Sequence, residues 1–393
     1  MPPATHSKKY SPSKSHIWIR CPLSTLLNQS DESNETAASR FGTECHALGE
    51  ALIRKALGIK NYDEEEKTLE ETIKSLTLYD EDMQAIADGY ANEVIQIFDY
   101  HKSLSFEKPI LFLEQYITMP FDKTAGGTLD CGIYSDHDGG TIEIIDLKTG
   151  RKPVYAKDLE TGEPNSQLAL YAIYFYETVI KDLYPVKNVV LRIHQPVINN
   201  SNETKLTIEE LMAFKEKVVV PAVLKTKVNK LEACAGNHCE YCAGRHVCTA
   251  YNDLNLRIAT TISRPIDGFT DGEIEMILPK LEGFRKYVED LIEYATTKAK
   301  EGHKWKGYKL VPSKVSRKIN NEEKVKELLE KEGIPPLTPG KLLGITEMTK
   351  KLGKGRFEEL IGPYIVLQES SLVLVPESDP RKEAIINKEE NKQ

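Results

Sequence analysis

Three residues in one short stretch have the types and spacing for hydrolytic chemistry. Asp130 lies in Gly126-Gly127-Thr128-Leu129-Asp130, and Asp146 and Lys148 lie in Ile144-Ile145-Asp146-Leu147-Lys148-Thr149-Gly150. Alternate side chains on a strand share a face, so Asp146 and Lys148 should project to the same side, roughly 7 Å apart. Two carboxylates offer oxygen ligands to a hard divalent cation, and the lysine adds a positive charge beside it. Between the two runs, Asp136-His137-Asp138-Gly139-Gly140 is a turn signal. Residues 126–149 are therefore expected to form a β-hairpin that carries all three groups at one end.

Holding such a hairpin requires a sheet with helices packed on it. The spacing predicts a helix start at Ser11-Pro12-Ser13 running into Ile17-Trp18, a polar loop to about Ala38, and a helix from Phe41 to Leu57 with His46 and Glu50 on one face. Residues 60–80 are acidic and irregular. A second amphipathic helix is expected over 82–101, and a strand from Ile110 to Met119 after the break at Lys108-Pro109. A loop from Arg151 to Pro164 leads to a helix from Ser166 to about Lys181, then a buried strand from Val189 to Ile193 and helix over 207–230. That order fits a mixed α/β core with helices flanking a sheet. Further on, Ile277, Leu281, Phe284, Val288, Leu291 and Ala295 step by threes and fours, a long helix ended by Gly302. Lys306 to Ile319 reads as a hairpin, 322–362 as short helices, and the charged tail from Asp379 as disordered.

Composition narrows the partners. With 393 residues the chain can bury a large core, and no apolar run approaches the roughly 20 residues needed to span a bilayer. The first residues lack an apolar signal core, so a cytoplasmic protein is expected. A net charge of -8 does not suit a protein that coats duplex DNA, because non-specific affinity comes from neutralising phosphates. A locally basic groove can still act on nucleic acid, and the candidate segments are Lys304 to Lys318, with Trp305 and Tyr308 interleaved, and Lys350 to Arg356.

Four of the seven cysteines cluster as Cys234, Cys239, Cys242 and Cys248, with Cys21 far upstream. In a reducing compartment this pattern points to a metal centre rather than to disulfides. Four thiolates suit structural zinc or a 4Fe-4S cluster, and spacing does not separate the two. The local four would close a small knuckle, whereas Cys21 with Cys239, Cys242 and Cys248 would staple the first helix to the end of the core. Cys45 and Cys131 are expected only to pack. His46-x-x-x-Glu50 is not the His-Glu-x-x-His of a zinc peptidase.

These residues together resemble the RecB-like branch of the PD-(D/E)XK nucleases with AddB-type iron-sulfur cysteines. Gly42-Thr43-Glu44-Cys45-His46 resembles its histidine motif, and Gly127-Thr128-Leu129-Asp130 and Ile145-Asp146-Leu147-Lys148-Thr149-Gly150 resemble its two acidic motifs. Gln167-Leu168-Ala169-Leu170-Tyr171 resembles its Gln-x-x-x-Tyr helix, and Cys21 with Cys239, Cys242 and Cys248 its one-plus-three cysteines. The match runs over about residues 9 to 250. Closer still, Trp18-Ile19-Arg20-Cys21-Pro22, Gly236-Asn237-His238-Cys239 and Glu377-Ser378-Asp379-Pro380-Arg381 resemble an uncharacterised phage and prophage family with this core. Asp146 stands where the branch often has Glu, and Cys234 is additional.

The resemblance implies a restriction-endonuclease-like α/β core over 9–250, a smaller α+β accessory region over 251–378 and a tail over 379–393. It implies that His46, Asp130, Asp146 and the Leu147 carbonyl hold Mg2+ or Mn2+. Lys148 would stabilise charge on the phosphate, Gln167 and Tyr171 would position it, and Cys21, Cys239, Cys242 and Cys248 would bind 4Fe-4S, with Zn2+ as the alternative. The expected function is a single-strand-preferring DNA exonuclease in phage recombination or replication, acting on free ends beside phage recombination proteins in the host cytoplasm. A different class is a catalytically idle nucleic-acid-binding module for a recombinase. A sequence-specific endonuclease is a third, weaker for want of a recognition domain. Lys148 discriminates, since an idle scaffold has no need of it.

Overall fold

The computed structural model describes residues 9–28, 36–59, 68–119, 121–159, 161–313, 315–338, 341–369 and 372–384. The chain divides into two compact units, Met1–Gly283 and Phe284–Gln393. The division expected after residue 250 comes later because the helix Thr249–Ile262 stays with the first unit, where Tyr251, Asn255 and Ile258 are buried.

The first unit is built on a mixed five-stranded sheet in the order β1 (Ile110–Met119), β2 (Asp122–Ser135), β3 (Thr141–Leu147), β4 (Asn188–Gln195) and β5 (Asn200–Thr207). Neighbours are antiparallel except β3 and β4, which are parallel. Every residue of β3 is buried, as expected for a central strand covered on both faces. Its side chains sort by alternation. Ile142 and Ile144 enter one core with Trp18, Leu168 and Phe175, while Ile145 and Leu147 enter another with Leu48, Met83 and Val94.

Helices α1 (Ser15–Trp18), α2 (Ser24–Leu27), α3 (Ala37–Leu57), α4 (Leu69–Ser75) and α5 (Glu81–Leu104) precede the sheet, and α6 (Ser166–Phe175) joins β3 to β4. The two cores thus place α1 and α6 on one face and α3 and α5 on the other. Local chemistry sets the ends of these helices. Thr36 caps α3, Asp80 caps α5 by accepting from Met83 N at 2.8 Å, and Gly58 ends α3 at φ +63°. Asn165 caps α6, whose helix continues as a π turn over Tyr176–Ile180.

The expected hairpin over 126–149 is present as β2 and β3, with Cys131 opposite Ile145 and Ser135 opposite Thr141. Gly140 closes its turn at φ +97°, and a Cβ there would stand 1.9 Å from the Pro185 carbonyl oxygen. Edge strand β5 was not anticipated. Its sequence, Asn-Ser-Asn-Glu-Thr-Lys-Leu-Thr, has a single apolar residue, yet it pairs along its whole length with β4. The helix expected over 207–230 follows as α7 (Ile208–Phe214) and α8 (Val220–Lys225), joined by a π turn over Lys215–Val219 and ending five residues early. The unit continues through α9 (Thr249–Ile262) into α10 (Asp271–Lys300). Among the described residues, no helix is long and apolar enough to cross a membrane.

In the second unit the expected hairpin over Lys306–Ile319 does not form. Strands β6 (Tyr308–Pro312) and β7 (Val315–Ile319) follow one another in the chain but belong to separate two-stranded sheets. After α11 (Glu322–Lys331), β8 (Leu337–Thr338), β9 (Lys341–Leu342), α12 (Ile345–Leu352) and α13 (Lys354–Leu360), strands β10 (Ile365–Glu369) and β11 (Leu372–Pro376) return to pair with β7 and β6 respectively. On the helices between β7 and β10 in sequence, Val325, Leu329, Met348 and Phe357 form a small separate core. The tail is not free over its described part. Lys309 Nζ donates to the carbonyls of Asp379 and Arg381 at 2.7 and 2.8 Å, and Asp379 pairs with Arg381. Residues 385–393 of the tail, 60–67 of the acidic stretch and 29–35 of the early loop lie outside the described residues.

Candidate functional site

The acidic residues meet at one end of the sheet. On α3, His46 Nδ1 lies 3.3 Å from Asp130 Oδ2 and 3.4 Å from Glu114 Oε1. Among the described residues, His46, Glu114 and Asp130 are the group whose ligand atoms all fall within 4.8 Å of one another. Leu147, expected to offer its carbonyl, contributes its amide, which donates to Asp130 Oδ2 at 2.8 Å.

A second cluster adjoins the first. Lys148 Nζ is 2.8 Å from Asp146 Oδ2 and donates to Gln167 Oε1 at 3.1 Å, while Gln167 Nε2 donates to Asp146 Oδ1 at 2.7 Å. This closed triangle fixes all three groups. Tyr171, one turn along α6, is buried and hydrogen-bonds Gln167. Close packing explains Gly127 and Gly42 of the motifs, though not Gly150, where a Cβ would meet nothing within 4 Å. A Cβ on Gly127 would meet Pro12 at 3.0 Å and the Tyr171 hydroxyl at 3.3 Å, and one on Gly42 would meet Thr149 Oγ1 at 3.1 Å.

The site's electrostatics follow from burial and crowding. Burial pushes the Asp146 carboxyl up to about 6, opposed by Lys148 and reinforced by Asp130. Burial likewise raises Glu114 to about 7 against the hydrogen bond from His46. Asp130 is also buried, but His46, Lys148 and the Leu147 amide hold it below the usual carboxylate range. The Asp130 and Glu114 carboxylates overcome the desolvation of His46 and raise it well above 6.5. Asp146 and Asp130 raise Lys148 in the same way.

Glu114 was missed by the sequence reading. It sits in a strand that reads as core, and the available signal was one charged residue inside Ile-Leu-Phe-Leu-Glu-Gln-Tyr-Ile-Thr-Met. Its Oε1 is buried without a well-formed hydrogen bond. A buried carboxylate oxygen held only loosely, 3.4 Å from an imidazole nitrogen and facing a second carboxylate, fits a divalent cation, whose ligands are oxygens and imidazole nitrogen.

The cysteines assemble on the α1 side of the first unit. Burial raises Cys239 to about 11, and the nearby Cys242, Cys21 and Cys248 add to the rise. Cys242 responds to Cys21 and Cys248 in the same way. Cys234 is exposed, and its amide donates to Cys21 Sγ at 3.4 Å. Gly236 N donates to Cys239 Sγ at 3.4 Å, and the Gly244 amide bonds Cys242. Backbone donors aimed at sulfur favour the thiolate, but among the described residues no three of these thiols bring their sulfurs within 4.8 Å of one another. Cys45 and Cys131 are fully buried in the core beneath α3 and α5.

The family model described as "Protein of unknown function (DUF2800)" matches residues 6–382. The chain belongs to the DUF2800 family. The crystal structure of SSO0001 matches with 14% sequence identity over 60% of this chain and 96% of that one, at a TM-score of 0.22.

In this DUF2800 chain, protons and a divalent cation should compete for the same atoms. Ligation needs His46 neutral and Glu114 ionised, and both are held protonated at mildly acidic pH by their raised pKa values. Binding therefore releases protons and strengthens as pH rises. The increase in unfolding midpoint produced by Mn2+ is expected to be small at about pH 5.5 and large at about pH 8. Using the metal-induced difference cancels the histidines with lowered pKa values, His16, His194 and His238, whose contribution to stability has the opposite sign. A shift independent of pH would place the ion elsewhere.

Proposed function

We propose that this protein is a divalent-metal-dependent DNA nuclease of the RecB-like PD-(D/E)XK type, a phosphodiesterase that acts on free ends with a preference for single strands. The observation that carries the reading is the position of Lys148. Its ammonium is fastened between Asp146 and Gln167, beside the His46, Glu114 and Asp130 cluster. An idle binding module gains nothing from burying a lysine among carboxylates, since desolvating these charges is costly.

His46, Glu114 and Asp130, with Asp146 and the Leu147 carbonyl adjoining, would hold Mg2+ or Mn2+. When bound, such an ion supplies a water of lowered pKa and neutralises charge on the scissile phosphate. The protein's own part is positioning and charge. Lys148 stays protonated and places a fixed positive charge where negative charge builds on the phosphoryl oxygens. Gln167 holds Lys148 and Asp146 in one geometry, and Tyr171 braces Gln167 from the same helical face. Cys21, Cys239, Cys242 and Cys248 would bind a 4Fe-4S cluster as a structural staple, with zinc the alternative for the same thiols.

The test is digestion of end-labelled single-stranded and duplex DNA with Mn2+, Mg2+ or chelator. Wild-type protein should cleave only with metal and favour single strands, and Asp146→Ala and Lys148→Ala should each lose about 100- to 1,000-fold or more. Absence of cleavage with every metal, while DNA is still bound, would favour the accessory-module reading instead.

A further inference from the structure

Between the catalytic cluster and the cysteines lies a face that neither group accounts for. The turn over Asn237–Tyr241, which carries Cys239, presents Tyr241 with 51% of its surface exposed. The Tyr241 ring stands edge-on to His16, centroids 5.9 Å apart, and Lys152 Nζ lies 5.2 Å from its centroid. Arg20 and Lys152 are both exposed. An open aromatic ring flanked by cations is the composition of a surface that binds a nucleic-acid strand, because phosphates follow the charges while unpaired bases stack.

This face is joined to the catalytic cluster. The Ser15 hydroxyl on α1 bonds the Ser166 hydroxyl at 2.7 Å, one residue before Gln167. His16, the next residue on α1, is pushed down to about 4, first by desolvation and then by the charges of His238, Arg20 and Lys148. The same imidazole therefore feels the catalytic lysine and touches Tyr241. Acidic groups also border the face. Glu240 pairs with Lys152 at 2.6 Å and Asp158 with Arg20 at 3.5 Å. Such exposed pairs contribute little, so phosphates can take their place.

We propose that the face running from Lys148 over His16 and Tyr241 to Lys152 and Arg20 is the path of single-stranded DNA, with Tyr241 stacking on a base. This rests on the phosphodiesterase reading and adds a substrate-positioning role for the loop that the cysteines hold. Stacking on Tyr241 requires an unpaired base, so the lane selects single strands over duplex.

The experiment is fluorescence anisotropy of labelled oligo-dT and of a duplex of equal length, with full-length protein in chelator, alongside the cleavage assay. Tyr241→Ala should weaken oligo-dT binding by about 10- to 100-fold and change duplex binding little, whereas Tyr241→Phe should behave as wild type. Lys152→Ala should reduce the salt dependence of oligo-dT binding by about the share of one phosphate. Because Tyr241 neighbours two cysteines, His16→Ala on α1 provides a second variant, and it should also weaken oligo-dT binding. Wild-type cleavage together with unchanged oligo-dT binding by both Tyr241→Ala and His16→Ala overturns the lane and leaves the nuclease reading standing. A wild-type protein that neither binds nor cleaves DNA overturns both.

Discussion

Replacing Glu114 by Gln should leave the metal-free protein at least as stable as wild type while weakening Mn2+ binding by roughly 10- to 100-fold or more, with a corresponding loss of any metal-dependent cleavage. The reason lies in what Glu114 costs. Its backbone sits at φ +45°, a region that costs residues other than glycine of order 1–3 kcal/mol, and glutamine would share that cost, so the difference lies in the side chain. The β1–β2 register is kept on either side, with Leu113 opposite Cys131 and Gln115 opposite Leu129, so the distortion is local. Its carboxylate is buried, crowded by Asp130, and forced up to about 7. A neutral amide of the same shape removes the repulsion and the desolvated charge but also removes an anionic ligand. Thermal unfolding with and without Mn2+ separates the two effects. A Glu114→Gln protein that is much less stable without metal, yet binds Mn2+ as wild type does, would make Glu114 a structural partner of His46.

The features the sequence disclosed are those written in local patterns. The β2–β3 hairpin was legible because an Asp-Gly-Gly turn separates two apolar runs, and the Asp146–Lys148 pairing followed from strand alternation. His46, Gln167 and Tyr171 sat on helices whose periodicity was clear. Other features depend on partners distant in sequence. Nothing in Asn200–Thr207 marks it as a strand until β4 offers an edge to pair with, because β-propensity reflects the neighbouring strand and burial more than intrinsic preference. Val315–Ile319 and Tyr308–Pro312 looked like two arms of one hairpin, and only the return of β10 and β11 shows that each pairs elsewhere. Glu114 was hidden for a related reason. Its role comes from facing Asp130 across the ladder and His46 from the covering helix, neither of which its own strand reveals.

Spacing left open whether Cys21 or Cys234 completes the thiol set, and the two choices predict opposite outcomes for single substitutions. Direct contacts fasten the cysteine loop to the start of the chain. Leu23 N donates to Glu232 O at 3.1 Å, Ala243 N donates to Asn28 Oδ1 at 2.8 Å, and Gly244 packs so closely on Leu27 that a Cβ would stand 2.3 Å from its side chain. His16 on α1 also stands against Tyr241, so a metal held by the thiols would reinforce a junction that direct contacts already make. Buried thiols without a metal remain neutral, as the raised pKa values of Cys239 and Cys242 show, so binding a metal must supply the energy to ionise them. Cys21→Ser or Cys242→Ser should therefore abolish stoichiometric iron or zinc and lower the unfolding midpoint by roughly 10 °C, the scale of several kcal/mol in a unit this large. Cys234→Ser should keep the metal and most of the stability, because that thiol is exposed and only its amide reaches Cys21. Elemental analysis and thermal unfolding of the three variants decide between the sets. Loss of metal in Cys234→Ser with retention in Cys21→Ser would assign the centre to the local four cysteines, and the loop would then be a knuckle closed on itself rather than a staple to α1.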